Sequence, residues 1–423
     1  MKICLFEDLY FDHFEPLVFT RPTYNLFCGM LRMRDKVRRA YPEPEIVFHT
    51  RGYLEAFLGE KNPKYKVNTI DDNDCLFING RIFAHDDLPR IIDLKDKTNK
   101  LYMNGETIIA ARVSGKKLEE LKSGMHDLFT VSNFDGLPVE QVDVKYATFI
   151  WDLIHGNKRE IIKDFELFVK QYNLSLKDFI QGKVYEGVHM IEPASIIIRE
   201  GAVVYPGTVL DATEGPIFID RNAIVYPNAV IQGPVYIGEQ TKVKAGANLY
   251  DGVSTGKVCK VGGEIEASII MPYSNKQHSG FLGHAYLGSW INIGADTNSS
   301  DLKNNYGTVK ITLNGDLIDS GHQFLGLIMG DHSKAAINSQ FNTGTVVGFS
   351  CNIFSSGFPK KYLPSFSWGG GDLTTTFDIE KSIETARRMV SRRSKTISEV
   401  EEKLFRKIFD LTQKTRRKLG YPY

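Results

Sequence analysis

Residues 219–249 decide the fold, and they read IDRNAIVYPNAVIQGPVYIGEQTKVKAGANL. A branched aliphatic residue recurs at every sixth position of this stretch: Ile219, Val225, Ile231, Ile237, Val243 and Leu249. Neither the helical period of about 3.6 residues nor the alternation of a strand produces a stride of six. Glycine, proline or asparagine fills many of the turn positions between them. This hexapeptide repeat predicts a parallel β-helix, in which short strands stack coil upon coil around a continuous aliphatic core.

The repeat extends beyond this stretch in both directions, from about residue 190 to residue 293. It loses register over 212–216, and two longer segments, 254–279 and 299–322, interrupt it. Loops that project from a solenoid often carry function. Both interruptions are therefore candidate positions for a functional site.

Composition excludes several classes of protein. The 52 basic and 51 acidic residues leave a net charge of +1, so we expect neither nucleic acid nor an anionic membrane as a partner. The five cysteines are scattered without a C-x-x-C pair, which argues against a disulfide framework or a structural zinc site. No stretch approaches the roughly 18 apolar residues of a membrane-spanning helix, and the first residues lack the apolar core of a signal peptide. We expect a cytoplasmic protein.

Length and periodicity divide the chain into several parts, since 423 residues leave room for two or three domains. Apolar strands at 2–6, 46–49 and 76–78, with helical spacing over 26–40, predict an α/β domain at the start. The tail interleaves basic and acidic residues at helical spacing, which favours a helix packed on the β-helix as a cap over nucleic-acid binding. We predict four segments: an α/β domain over 1–150, a helical connector over 151–187, the β-helix over 188–377 and a helical tail over 378–423.

Residues 274–288, SNKQHSGFLGHAYLG, are the segment of the β-helix richest in reactive side chains. The interior of a β-helix has no use for imidazole and ammonium groups, so these groups are expected to face a cleft or solvent. Histidine titrates nearest to neutral pH, which suits the removal of a proton from an ammonium nucleophile. A surface or hydrogen-bonded structural histidine is the alternative interpretation.

The same segment resembles the acetyltransferase half of the bifunctional glucosamine-1-phosphate N-acetyltransferase and N-acetylglucosamine-1-phosphate uridylyltransferase family. The family's segment reads K-x-x-H-L-x-Y-x-G-D, then N-I-G-A-G and N-Y-D-G. The resemblance implies that His278 is the catalytic base, that Phe281 replaces the sugar-binding tyrosine and that Asn292 binds the sugar. After a four-residue insertion, Asn305 and Tyr306 match the last motif.

The resemblance also implies a donor, an acceptor and a mechanism. His278 would take a proton from the amine of an amino-sugar phosphate, with glucosamine 1-phosphate as the expected acceptor, and the amine would attack the thioester of acetyl-CoA. The family's phosphate-binding lysine has no counterpart at its usual spacing, and Lys276 or Lys303 would supply that charge. Such enzymes hold coenzyme A between the subunits of a homotrimer.

Three residues resemble the region that holds coenzyme A: Lys334, Thr343 and Gly344. Lys334 would meet a phosphate of the coenzyme, although a solvated lysine is an equal alternative. Zinc bound between subunits is a further alternative, for which His278, His284, His322 and His332 are the available ligands.

The start of the chain resembles the first loop of sugar-1-phosphate nucleotidyltransferases, a loop in which T-R is followed by a lysine. The resemblance implies that Thr20, Arg21 and Lys36 bind the phosphates of UTP, although the family's G-x-G is missing. The family's magnesium-binding aspartate follows the strand at 76–78, where this chain has Asn79-Gly80-Arg81. Four carboxylates are possible substitutes: Asp8, Asp71, Asp72 and Asp74.

Nearly the whole chain is similar to a variant two-domain family of the same pathway, with a T-R-P opening, a W-D-L connector at 151–153 and an S-N-K-x-H-x-G-F-x-G-H segment. We therefore expect a nucleotidyltransferase-like α/β domain joined to a left-handed β-helix, and acetylation coupled to uridylyl transfer that forms UDP-N-acetylglucosamine. Mg²⁺ is expected if the first domain is active. The alternatives are acetylation of another amino or nucleotide sugar, with a first domain that only binds nucleotide sugar or supports assembly, and a non-catalytic regulator.

Overall fold

A computed structural model of the chain describes residues 1–125, 128–371 and 374–422. It consists of an α/β domain, a left-handed parallel β-helix of about ten turns and C-terminal helices. Eight α-helices lie in the described residues: α1 (Met33–Ala40), α2 (Glu55–Lys61), α3 (Leu88–Ile91), α4 (Gly115–Ser123), α5 (Ile150–Gln171), α6 (Ile379–Ser391), α7 (Glu399–Leu411) and α8 (Gln413–Lys418). None of them is both long and apolar enough to cross a lipid bilayer.

The N-terminal domain is built on a six-stranded mixed sheet. Its strands lie side by side in the order Glu45–Phe48, Lys2–Phe6, Asp74–Asn79, Thr107–Ser114, Lys100–Asn104 and Val139–Gln141. The first three run parallel, so their carboxyl ends meet at one edge of the sheet. We call this edge, where Glu7, Asp8 and Arg81 follow the strands, the carboxyl edge. The resemblance to nucleotidyltransferases implies that a magnesium ion would bind at this edge.

The helix predicted over 26–40 forms only in its second half, as α1. A two-residue hairpin, Phe27–Cys28 with Leu31–Arg32, precedes it. The turn places Gly29 at φ 77°, and a Cβ atom there would lie 2.5 Å from Asp164 Oδ2 of α5. The prediction was wrong for this half because packing against α5 decides the backbone there, and local periodicity does not contain that contact.

Three parallel sheets form the walls of the β-helix. We call them the docking face, which the N-terminal domain covers, the ladder face, on which polar side chains align, and the third face. The docking face carries Ile196–Ile198, Ile217–Ile219, Val235–Ile237, Val253–Thr255, Ile269–Ile270, Tyr286–Leu287, Ile328–Met329, Val346–Val347 and Tyr362–Leu363. The ladder face carries Lys183–Val184, Val203–Val204, Ile224–Val225, Lys242–Val243, Lys260–Val261, Asn275–Lys276, Asn292–Ile293, Lys334–Ala335, Asn352–Ile353, Ser367–Trp368 and the antiparallel Thr375–Thr376. The third face carries His189–Ile191, Val209–Asp211, Val230–Gln232, Asn248–Leu249, Glu264–Glu266, Phe281–Gly283, Asn298–Ser299 and Gln340–Phe341.

The stride of six corresponds to one buried residue per face, as predicted. The partners in register are Ile219 with Ile237 on the docking face, Val225 with Val243 on the ladder face and Ile231 with Leu249 on the third face. All six side chains are fully buried. Three strides therefore make one coil.

The two predicted interruptions have different structures. Residues 254–279 stay in the solenoid, where the coil from Lys260 to Asn275 is shorter than the coil before it, so the stride is lost while the strand pairing continues. Apart from Ser299, which stays in the third face, residues 299–322 leave the solenoid and form a hairpin, Lys310–Leu313 with Asp316–Asp319. The hairpin packs against the N-terminal domain, to which Asn314 Nδ2 donates a hydrogen bond at Asp12 O, 3.1 Å away.

The N-terminal domain and α5 cover the docking face. Aromatic residues of α5, Phe165 and Phe168, pack on Phe218. Further along the face, the hydroxyl of Tyr286 accepts a hydrogen bond from the Phe27 N–H at 2.8 Å and donates one to the Phe27 carbonyl at 2.9 Å. The two domains therefore share a continuous buried contact.

The C-terminal helices pack against the last coils around Phe349 and Phe366, and α7 also contacts α2 of the N-terminal domain. The segment 359–368 contributes two short strands, Tyr362–Leu363 and Ser367–Trp368, to the last coil. The tail therefore connects the end of the β-helix to the first domain, a contact that the sequence analysis did not predict.

Candidate functional site

A cavity of about 300 Å³ lies between the ladder face and α6. We call it the basic cavity. Its polar lining consists of Lys260, Tyr273, Asn275, Gln277, Asn292 and Lys334 from the β-helix, and Thr385, Arg388, Arg392 and Arg393 from α6 and the residues after it. Two residues that the sequence predicted separately, Asn292 for the sugar and Lys334 for coenzyme A, thus border the same space.

Strand register aligns the cations of the β-helix along its axis. Lys242, Lys260, Asn275, Asn292 and Lys334 occupy equivalent positions on successive strands of the ladder face. Neighbouring strands lie about 4.8 Å apart, so these side chains form a regular row. A row of this kind suits an elongated ligand that carries phosphate groups at one end.

The C-terminal segment adds positive charge from the opposite side. The Arg393 guanidinium donates a hydrogen bond to Asn275 Oδ1 at 3.1 Å, and Arg388 pairs with Glu384 of its own helix. With the described residues, Lys260 and Arg392 form no ion pair, and no acidic residue lines the cavity. The cavity therefore carries a large excess of positive charge.

Burial and crowding both act on these cations. Burial lowers the pKa of Lys334 to about 8, and its ammonium donates a hydrogen bond to the His332 carbonyl at 2.6 Å. The pKa of Lys260 is lowered by burial and then by the charge of Arg393. An anion in the cavity would reverse both effects, which makes an anionic ligand the one best matched to it.

His278 lies at the corner between the ladder face and the third face. It is exposed, and its neighbour Gln277 lines the basic cavity. Lys276 does not face that cavity: it is 1% exposed inside the solenoid, and its ammonium donates to the carbonyls of His278 at 2.7 Å and Ser279 at 3.2 Å. The prediction that Lys276 binds the substrate phosphate is therefore corrected, because its charge is used to hold the loop that carries His278.

A second imidazole is held by a carboxylate on the third face. His284 Nδ1 lies 2.8 Å from Asp301 Oδ2, and the ring stacks on Phe324. The ring of Phe281 and the Asp301 carboxylate meet above Gly283, where a Cβ atom would lie within 2.5 Å of both. This oriented imidazole of His284 is a second candidate base. The sequence analysis missed Asp301 because the family motifs on which that analysis relied do not include this residue.

His155 of α5 stacks on His322 with ring centroids 3.8 Å apart and lies 5.7 Å from His284. Burial, followed by the charges of His322 and His284, lowers the pKa of His155 to about 4. Despite these three imidazoles, no group of histidine, cysteine and carboxylate side chains within 1–125, 128–371 and 374–422 is arranged to hold a metal ion.

We expect the folded protein to lose stability as the pH falls from about 6.5 through 4. His155 takes up its proton near pH 6.5 when unfolded but only near pH 4 when folded, so the unfolded state binds more protons in this window. His155→Phe keeps an aromatic ring against His322 and removes the titration. The melting temperature measured from pH 7.5 to 4 should fall less steeply in this variant, and equal slopes would contradict the prediction.

The remaining β-helix residues that the sequence analysis assigned to substrate or coenzyme A lie away from the basic cavity. Lys303 donates to the Thr308 carbonyl, and Asn305 Oδ1 accepts from the Gly307 N–H at 3.1 Å. Tyr306 is 67% exposed on the excursion of 299–322. Thr343 accepts from Lys361, and Gly344 adopts φ 61° in the next coil. Within one chain the structure does not bring these five residues to Asn292 and Lys334.

The three residues predicted to bind nucleotide contact other parts of the chain. Thr20 Oγ1 donates to Asp331 Oδ2 at 2.5 Å, and the Arg21 guanidinium pairs with the same carboxylate. Both residues border a cavity of about 300 Å³ between the two domains. Lys36 is fully buried, and its ammonium lies 3.0 Å from Glu160 Oε2 and 2.6 Å from Asp164 Oδ2.

Comparison with known proteins adds to this geometry. Residues 3–173 match the family described as sugar nucleotidyl transferase. The bifunctional protein GlmU of Methanocaldococcus jannaschii is 30% identical over 326 residues, covering 72% of this chain and 66% of the relative. GlmU of Methanococcus aeolicus is 26% identical over 344 residues, covering 73% of each. A solved UDP-N-acetylglucosamine acyltransferase from Francisella novicida is 16% identical and covers 56% of this chain and 86% of that one, with a TM-score of 0.27.

The fold and the matches together define a protein in which a domain that matches the sugar nucleotidyl transferase family precedes a left-handed β-helix. The chain belongs to the GlmU-like family. It spans just under two thirds of the M. jannaschii relative's length.

Proposed function

We propose that the protein transfers the acetyl group of acetyl-CoA to the amine of an amino-sugar phosphate, with glucosamine 1-phosphate as the expected acceptor. The single observation that carries this proposal is the basic cavity, because donor and acceptor both carry phosphate groups. Lys260, Lys334 and Arg393 would hold phosphate from two sides, and Asn292 would contact the sugar. The GlmU relatives support the same chemistry.

Protons balance in a direct transfer. As the amine nitrogen forms a bond to the acetyl carbonyl carbon, His278 takes the proton that this nitrogen loses. The carbon–sulfur bond breaks, and His278 returns that proton to the departing thiolate of coenzyme A. Backbone N–H groups would stabilise the oxyanion. Lys276, through the His278 carbonyl, keeps the loop that carries the base in place.

The proposal includes assembly as a homotrimer. His278 stands on an exposed corner, so a single chain supplies only one side of the space around it. A neighbouring subunit packed along this corner would complete the cleft and bring its own copies of residues such as Tyr306 or Thr343 to the substrate.

Release of free thiol from acetyl-CoA in the presence of glucosamine 1-phosphate tests the function. We expect Lys334→Met and Lys260→Met each to raise the KM for acetyl-CoA or the KM for glucosamine 1-phosphate by about 10- to 100-fold. The reason is that a charge-assisted hydrogen bond contributes about 1.5–3 kcal/mol. Lys183→Met is the matched control: Lys183 stands on the same face at its far end.

Equal effects in all three variants would show that only the net charge matters and would remove the basic cavity from the site. If the wild-type protein releases thiol with a different amino sugar and not with glucosamine 1-phosphate, the proposed reaction stands and only the proposed acceptor is replaced. Absence of thiol release with every amino-sugar phosphate would overturn the proposal.

A further inference from the structure

The magnesium site that the family implies does not fit the residues at the carboxyl edge of the N-terminal sheet. The turn Asn79-Gly80-Arg81 stands where the resemblance implies a metal-binding aspartate, and this turn ends in Arg81. Its Nε donates to Asp8 Oδ1 at 3.0 Å, its Nη2 pairs with Asp8 Oδ2, and Asn79 Nδ2 donates to the same oxygen at 2.8 Å. The carboxylate oxygens that a cation would need are thus bound to a guanidinium, whose own charge repels a divalent cation.

The second carboxylate at this edge is used in the same way. Glu7 is fully buried, and the Arg51 guanidinium lies 3.2 Å from both of its oxygens. Thr50 Oγ1 donates to Glu7 Oε2 at 2.8 Å, and the Thr23 N–H donates to Oε1 at 3.0 Å. A buried carboxylate with this many donors has no lone pair left for a metal.

The other carboxylates considered from sequence lie at the opposite edge of the sheet. Asp74 begins the strand that ends at Asn79, and it pairs with Arg112 at 2.6 Å. Asp71 pairs with two lysines, and Asp72 lies 2.8 Å from the N-terminal ammonium. No carboxylate from the set proposed for magnesium therefore stands both free and at the carboxyl edge.

The loop that would bind nucleotide phosphates is attached to the β-helix instead. Asp331 is 3% exposed and accepts hydrogen bonds from Thr20, from Arg21 Nη1 at 2.9 Å and from the Ser289 N–H at 2.8 Å. Arg21 also donates to the Leu17 carbonyl at 3.0 Å, which fixes the guanidinium from behind. Asp331 opens the short coil segment that continues to Lys334 of the basic cavity.

From these contacts we infer that the N-terminal domain is a docking domain and not a metal-dependent nucleotidyltransferase. Its first loop, through Thr20 and Arg21, positions the segment from Asp331 to Lys334 and so fixes the Lys334 ammonium in the basic cavity. Thr20 and Arg21 are positioning residues in this account. The link to ligand binding rests on the proposed acetyl transfer, whereas the loss of metal-dependent chemistry does not.

The first test uses the full chain with UTP, N-acetylglucosamine 1-phosphate and MgCl₂. We expect no release of pyrophosphate, and no rise in melting temperature on adding MgCl₂ with UTP. Magnesium-dependent pyrophosphate release, or a melting temperature raised by magnesium with UTP and not by UTP alone, would overturn the inference.

The second test is a double-mutant cycle of Arg21→Ala and Asp331→Ala. We expect each single variant to raise the KM for acetyl-CoA by about tenfold, with kcat changed less, because the loop of His278 is untouched. The double variant should resemble the single variants, since both break one contact. Additive effects would contradict the positioning role, as would an Arg21→Ala variant that weakens UTP binding and leaves the KM for acetyl-CoA unchanged.

Failure of the proposed function is recognised separately. If the wild type releases no thiol, the double-mutant cycle is measured by melting temperature alone. The Arg21–Asp331 contact then still predicts that the losses in melting temperature of the two single variants do not add in the double variant. The pyrophosphate assay is independent of acetyl transfer in every case.

Discussion

His278→Ala is expected to slow thiol release from acetyl-CoA by at least about 100-fold at saturating substrates, with the KM values nearly unchanged. A general base contributes about 10²–10⁴-fold to a rate, and its removal leaves substrate binding in place. His278 is exposed and its side chain makes no hydrogen bond with the described residues, so its loss should not disturb the fold. Steady-state kinetics with acetyl-CoA and glucosamine 1-phosphate measure the effect.

His284→Ala and Asp301→Asn are the matched comparison, because they remove the other imidazole and the carboxylate that orients it. We expect both to retain most of the wild-type kcat. If the 100-fold loss follows these two variants and His278→Ala stays active, the base is His284 and the family alignment of the motif does not transfer to this chain.

Lys36→Met is expected to lower the free energy of unfolding by about 3–5 kcal/mol, the usual cost of removing one partner from a buried ion pair. Although burial lowers it, the neighbouring Asp164 and Glu160 carboxylates raise the pKa of Lys36, so the charge is retained in the folded protein. The substitution leaves both carboxylates buried, with Arg39 at the outer side of Asp164, and with Arg159 and the His85 imidazole beside Glu160. Urea unfolding, followed by a signal from the N-terminal domain, measures the loss.

Lys163→Met is the control for Lys36→Met, because Lys163 lies on the same helix α5 as both carboxylates but faces solvent. Its effect should stay within about 0.5 kcal/mol. A stable Lys36→Met protein with weakened UTP binding would instead support the nucleotide-binding role that the resemblance implies.

The β-helix could be predicted from sequence because its register is contained in the stride. Ile219 and Ile237 pair across one coil, and the same holds on the other two faces, so periodicity alone gives the core. The local helix over 26–40 was partly wrong for the opposite reason: Gly29 is fixed by Asp164, which lies far away in the chain.

The candidate site was predictable one residue at a time but not as a cavity. Asn292 and Lys334 follow from motifs, and extending the ladder back from Asn292 by two coils would have found Lys260. The position of Arg393 depends on how α6 folds back onto the ladder face, and no local pattern contains that contact. In the same way, a T-R dipeptide does not reveal that its partner is Asp331 rather than a phosphate.

The covered docking face limits how this chain can be divided. An excised β-helix beginning after α5 would expose Phe218, Tyr236 and Tyr286 to water. These rings would form an exposed apolar patch through which copies of the fragment would associate. We expect such a fragment to aggregate, so modular exchange of acyl domains between proteins of this kind should succeed only when the first 171 residues are moved along with the solenoid. The two halves therefore form one structural unit.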